Sequence, residues 1–190
     1  MTRMLVVRRL TEDMLNSLTP ISDASLVGEE TILRIGRSGF TLGYTPLNTA
    51  EWRVFPPLGS ATPEQAVHDP DAACFAAYQE DSFVGIAVIR ASESGWGELA
   101  DIRVDAAHRR SGVAHALLAA CERFAIKREL HGLRVATSDQ NPVMCQFCEH
   151  NGFQLQGLDR MTLILRPEEK FKPLSRRSVA LYFYLTIKKG

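Results

Sequence analysis

The chain has 190 residues, of which 45% are hydrophobic and 23% charged, a composition that supports one core and excludes collagen-like, disordered and disulfide-scaffold classes. Lys plus Arg and Asp plus Glu each number 22, so the formal net charge is zero and no overall field draws the chain to nucleic acid or anionic lipid. The longest apolar stretch near the start, residues 4–7, is too short for an export signal, and nothing approaches a membrane span; a cytoplasmic protein is expected.

In chain order, residues 5–8 predict a short strand, and Thr11 followed by Glu12 and Asp13 predicts a brief helix to about Ser17. Residues 31–35 and 40–44 are apolar-rich and separated by Gly36, Arg37, Ser38 and Gly39, a hairpin signal. Five of the nine prolines fall in residues 46–71, which therefore reads as a long loop of the kind that carries binding function. Strand-like runs at 74–79, 84–90 and 98–104 form an antiparallel meander. Val113, Leu117, Ala120 and Phe124 recur at helical spacing, with Lys127 and Arg128 at the negative end and Gly132 as the stop. Residues 133–137 follow as a strand, then Asn141 as N-cap and Pro142 as first residue of a second helix ending at Asn151 and Gly152. Two runs, 161–165 and 179–187, should close the sheet. The order of strands, helix, strand, helix, strands favours a mixed sheet flanked by helices over a purely parallel one.

Cys74, Cys121, Cys145 and Cys148, in a chain without an export signal, read as thiols. Cys145 and Cys148 form a lone C-x-x-C with only His150 nearby, short of the four ligands a structural zinc needs, and their spacing simply puts both on one helical face. His68, His108, His115 and His131 are scattered without ligand spacing, and no metal is expected.

The chemistry concentrates in Arg109, Arg110, Ser111, Gly112, Val113 and Ala114, which join a strand to the start of the long helix. Free N–H groups and the positive dipole end at a helix start suit an anion, Gly112 and Ala114 allow close approach, and the two arginines supply charge-assisted bonds for phosphates. On these six residues alone, an arginine-rich cap touching only water fits equally well.

The wider pattern is more specific. Asp101-Ile-Arg-Val, Arg109-x-x-Gly112-x-Ala114, a helix, then Asn141 ahead of Asn151-Gly-Phe resembles the GNAT superfamily of acyl-CoA-dependent N-acyltransferases. Leu130-His-Gly-Leu, Thr137-x-Asp139-x-Asn141 and Cys145-x-Phe147 resemble its streptothricin acetyltransferase branch, from about Cys74 to Ile187. The resemblance implies an α/β (α+β) fold: a mixed, mostly antiparallel central sheet splayed between two strands and flanked by helices. It implies one domain over residues 1–190, with a variable acceptor side at 1–72, a cofactor-binding core at 73–155 and C-terminal strands at 156–190.

It further implies acetyl-CoA as acyl donor and a small-molecule primary amine as acceptor, with streptothricin-like antibiotics, and hence antibiotic resistance, as the nearest case. The main chain of Ile102, Arg103 and Val104 would pair with the pantetheine arm, and a main-chain N–H near Ile102 or Arg103 would stabilise the oxyanion. The diphosphate would sit on Arg109 to Ala114 with His115 adjoining, and Asn141 would bond the arm from the other side. An alkyl ammonium, pKa about 10.4, must lose a proton before attack. Glu98 stands where histone-type members carry a glutamate, and strand alternation predicts that it shares a face with Ala100 and Ile102; an ordinary exposed carboxylate is the equal alternative.

Cys148 occupies the position where many members carry the tyrosine that protonates the departing thiolate, so it is the candidate acid. Ala100 and Ala136 stand where streptothricin-type members carry glutamates, which lowers the attraction for a polycation. A non-catalytic acyl-CoA-binding regulatory module is therefore the second expectation. The basic residues Lys170, Lys172, Arg176, Arg177, Lys188 and Lys189 read as a solvated turn and end, with no nucleic-acid or membrane partner. The apolar last strand, read as an edge needing cover, together with family habit, predicts a homodimer.

Overall fold

The structure is a computed structural model that describes residues 4–37, 39–160 and 178–187. The chain divides into two compact units: Met1–Ala24, Val54–Arg134 and Thr186–Gly190 form the first, and Ser25–Arg53 with Val135–Leu185 form the second.

The first unit is built on strands β1 (Leu5–Arg9), β4 (Ala72–Gln79), β5 (Ser82–Ala91) and β6 (Gly97–Val104), side by side in the order β1-β4-β5-β6 and antiparallel throughout. The start of β7 (Gly132–Ser138) joins β6 in parallel. Residues 84–89 of β5 are all buried, because both faces of the sheet are covered. One face packs Cys74, Ala76, Ile86, Val88 and Ala100 against Leu10 and Ala66, with Met14 and Leu15 of a short 3-10 helix, Glu12–Ser17, alongside. The other carries α2 (Val113–Lys127), whose Val113, Leu117, Leu118, Ala120, Cys121, Phe124 and Ala125 are buried at helical spacing. Burying a leucine such as Leu117, which is 0% exposed, contributes about 1.5–3 kcal/mol. Gly85 lets this helix come close, since a Cβ there would lie 3.1 Å from Val113 and 3.2 Å from Leu117.

The second unit holds the hairpin of β2 (Ser25–Gly36) and β3 (Gly39–Arg53), α3 (Pro142–His150), β8 (Gln154–Asp159) and β9 (Ala180–Thr186). β9 lies between the continuation of β7 and β8. The last strand is thus interior rather than an edge, and its apolar residues Leu181 and Phe183, both 0% exposed, are core. That removes the edge-strand argument for a homodimer.

Other expectations change with the structure. The hairpin is longer than its apolar tip, since β3 reaches Arg53, and the expected loop also holds α1 (Pro63–His68) in the first unit. Thr62 caps α1 by accepting from Gln65 N–H while Gln65 reaches back, with Pro63 at the first turn. The stop of α2 is Glu129, in the left-handed region at φ 56, with Leu130 N–H donating to Ala125 at 3.0 Å; Gly132 instead opens β7. β8, not foreseen, pairs antiparallel with β9. The expected strand at 161–165 and the basic residues Lys170, Lys172, Arg176, Arg177, Lys188 and Lys189 lie outside the described residues.

Candidate functional site

In the first unit the candidate residues follow one another along β6 and the turn behind it. The β6–β7 ladder consists of Gly97↔Leu133 and Glu98↔Arg134. Beyond these pairs, β6 runs on to Val104 paired with β5. A register shift sets Ile89 opposite Leu99 but Val88 opposite Asp101, leaving Ala100 as a bulge. The bulge changes the faces. Glu98, Asp101 and Arg103 stand opposite Arg90, Val88 and Ile86, alternate residues of β5, and so share one side of the sheet. Ile102 and Val104 stand opposite Ala87 and Gly85, on the α2 side. Ala100 packs with Ile86 and Val88, so Glu98 shares its face with Ala100 as expected but not with Ile102, because one extra residue reverses the alternation.

Glu98 is 41% exposed in its side chain and forms an ion pair with Arg134 at 2.7 Å. Asp101, which sequence reasoning treated only as part of a motif, is buried on the same face, 3% exposed. Burial pushes its carboxyl above the usual range, against the opposing pull of Arg103 and a hydrogen bond from Ile102 N–H. Arg103 Nε donates to Asp101 at 2.7 Å, and its Nη1 lies 3.8 Å from Asp23. Cys74 nearby has its thiol pushed up to about 12, mainly by burial and then by Asp101. The sequence signal for Asp101 is a carboxylate between the apolar residues Leu99-Ala and Ile102 of a strand whose other charges are Glu98 and Arg103.

The turn after β6 begins with Asp105, which accepts from Ala107 N–H at 3.0 Å and Ser22 N–H at 2.9 Å. Its carboxyl is held below the usual range, first by the bond from Ser22. Arg109 was expected to face phosphates, yet its guanidinium turns to main-chain carbonyls: Nη1 to Ala24 at 2.6 Å and Nε to Val104 at 3.2 Å. Arg110 is exposed, Ser111 donates to the His108 carbonyl, and Gly112 caps α2 in the left-handed region at φ 87. A Cβ at Gly112 would meet nothing within 4 Å. An unobstructed left-handed cap at a fifteen-residue helix, with Ala114 next to it and His115 exposed, fits a diphosphate.

In the second unit, Asn141 is buried and its Oδ1 accepts from Met144 N–H at 3.0 Å, capping α3 as expected. Cys148 on α3 is 0% exposed, and burial raises its thiol well above the usual value. Cys145 is buried beside it, pushed up to about 12 by burial and held by a thiol contact to the Ser138 carbonyl. Tyr44 of β3 donates to Glu149 at 2.6 Å, and its hydroxyl is raised first by burial and then by that carboxylate. Among the described residues, no group of three or more His, Cys, Asp or Glu could hold a metal ion, and no helix is long and apolar enough to cross a membrane.

Residues 43–153 match the model of the Acetyltransferase (GNAT) family. A streptothricin acetyltransferase from Escherichia coli is 33% identical over 119 residues, which cover 61% of this chain. The match spans 63% of the length of that curated relative. The fold also resembles a Bacillus anthracis str. Ames protein assigned as a streptothricin acetyltransferase and solved with acetyl coenzyme A: TM-score 0.82, 21% identity, covering 98% of this chain and 99% of that one. A nourseothricin acetyltransferase is similar at TM-score 0.74 and 23% identity, covering 96% of this chain and 98% of that one. With the glycine-capped helix behind a bulged strand, and a family model that takes in β6, that cap and α3, the chain belongs to the acetyltransferase (GNAT) family.

Proposed function

We propose that this chain transfers the acetyl group of acetyl-CoA to a primary amine of a small molecule, by direct attack of the amine on the thioester, with streptothricin-like antibiotics among the acceptors. The observation that carries this reading is the open left-handed cap at Gly112. There the N–H groups at the start of α2, with the small residues Gly112 and Ala114 and the exposed Arg110, hold the diphosphate. Val113 and His115 set the first turn of that helix. The β6 main chain at Ile102, Arg103 and Val104, past the end of its ladder with β7, offers hydrogen-bonding groups to the pantetheine amides. A main-chain N–H in this stretch stabilises the charge that develops on the thioester oxygen.

Glu98 takes the proton from the incoming ammonium, while Asp101 on the same face is tied to Arg103 and orders that side chain. A thiolate is a good leaving group, since even an ordinary cysteine thiol has a reference pKa of only about 8.5, and it departs with modest help. Cys148 remains the candidate acid on α3, although its burial fits a packing role better. A single domain over residues 1–190 and, on the family resemblance alone, a homodimer complete the reading.

The test is a thiol-release assay with acetyl-CoA and a panel of streptothricin, polyamines, aminoglycosides and peptides. At least one acceptor should release free thiol. Tight acetyl-CoA binding by calorimetry with no turnover on any acceptor would replace the enzyme by the regulatory module, the alternative that Ala100, Ala136 and Cys148 make possible.

A further inference from the structure

Residues 22–24, the strap that leads into β2, are stitched to the turn that opens the diphosphate site. Ser22 N–H donates to Asp105 Oδ2 at 2.9 Å, and the Ser22 carbonyl accepts from Ala106 N–H at 2.9 Å. Arg109 adds a fork: Nη1 to the Ala24 carbonyl at 2.6 Å, Nη2 to the Ser22 carbonyl at 3.5 Å and Nε to the Val104 carbonyl at 3.2 Å. The side chain between these anchors, Asp23, reaches Arg103, which is bonded to Asp101 on the Glu98 face of β6.

We infer that Arg109 is a positioning residue for the acceptor side rather than a reader of the diphosphate: its guanidinium clamps the Ser22 and Ala24 carbonyls to the end of β6. The clamp holds Asp23 against Arg103 on the face where the amine arrives. A planar guanidinium suits this task because it donates in three directions at fixed angles, which the single ammonium of a lysine cannot do. A diphosphate needs only a point charge within reach, so Arg109→Lys separates the two roles. The inference rests on the proposed reading for what the strap serves, but not for the clamp itself.

The experiment uses the full chain, wild type and Arg109→Lys, with amide hydrogen exchange at Ser22, Ala106 and their neighbours, and coenzyme A binding by calorimetry. Arg109→Lys should speed exchange at Ser22 and Ala106 by about tenfold or more, since these amides open with the strap. Coenzyme A affinity should change by less than about threefold. With streptothricin as acceptor probe, the variant should raise the acceptor KM while leaving that of acetyl-CoA in place. Unchanged exchange in Arg109→Lys would overturn the clamp. So would a wild-type Arg109 Nε–H resonance that moves strongly on adding coenzyme A, a measurement that needs no variant to fold. If the wild type binds no coenzyme A, the proposed function fails, and exchange in the ligand-free protein still decides the clamp.

Discussion

Gly59 donates its main-chain N–H to the Ala100 carbonyl at 2.7 Å, so the chain ahead of α1 lies directly on the bulge of β6. A Cβ at position 59 would stand 3.1 Å from both Cα and Cβ of Ala100. The absence of a side chain at 59 and the small one at 100 are parts of one fit.

Ala100→Glu, the change that the resemblance to streptothricin acetyltransferases suggests at this position, should therefore not simply be accepted. It forces a larger side chain against Gly59 and places a second carboxylate beside Asp101. A loss of about 1–3 kcal/mol is expected from overpacking, read as a lower urea midpoint. A midpoint equal to wild type would mean that the segment around Gly59 moves away freely.

At Gly112 the backbone is left-handed with open space around it, so substitutions act through strain and charge rather than collision. Asn and Asp both tolerate this conformation better than other side chains. Gly112→Asn should weaken coenzyme A binding moderately. Gly112→Asp should weaken it by a further factor of about ten or more, because a carboxylate then faces the diphosphate. Equal affinities for the two variants, by calorimetry, would remove the anion from this cap.

Glu98→Gln should lower kcat by about 10²-fold or more if this carboxylate takes the amine proton, while the KM for acetyl-CoA stays near wild type. Arg134→Gln frees Glu98 from its ion pair, and a half-exposed pair of this kind contributes at most about 1 kcal/mol to stability. The second variant should therefore fold normally and retain turnover. Equal losses of kcat in both would point to the pair as a structural tie.

Asp101 gives a pH signature. Its folded-state pKa is raised, first by burial, so between the ordinary aspartate range and the raised value the native state binds more protons than the unfolded one. The stability contributed by its protonated form is fully present below the unfolded pKa and is lost as pH rises through the folded pKa. Thermal melts across the weakly acid range should show this decline in the wild type and a flatter profile in Asp101→Asn. Identical slopes would show that Asp101 does not titrate in that window.

All four thiols, Cys74, Cys121, Cys145 and Cys148, are buried and raised by that burial. A thiol reagent at neutral pH should label none of them until the protein unfolds. Cys148→Ala should keep kcat within about threefold of wild type if the residue only packs; a loss of about 10²-fold, the scale of a general acid, would give the thiol that role.

The residues that speak through local rules were legible from order alone. The apolar period of α2, Asn141 and Pro142 at the head of α3 and the small residues around Gly112 each depend on neighbours a few positions away. Thr62-Pro-Glu-Gln carried an equally local capping signal for α1, masked by the prolines around it. Strand alternation is local too, but it assumes one residue per position, and the bulge at Ala100 breaks that assumption and moves Ile102 to the α2 side.

What depended on distant partners was not written in any window of the chain. Arg109 reads as a phosphate ligand because it precedes a glycine-capped helix, yet its guanidinium meets carbonyls more than eighty positions earlier. Val179 to Ile187 reads as an edge because it is last, yet strand order places β9 between β7 and β8. Short-range periodicity and capping follow from backbone geometry over one or two turns, so sequence determines them. The destination of a long side chain and the neighbours of a strand are chosen by which buried donors, acceptors and apolar faces must be satisfied together, and only the folded chain decides that.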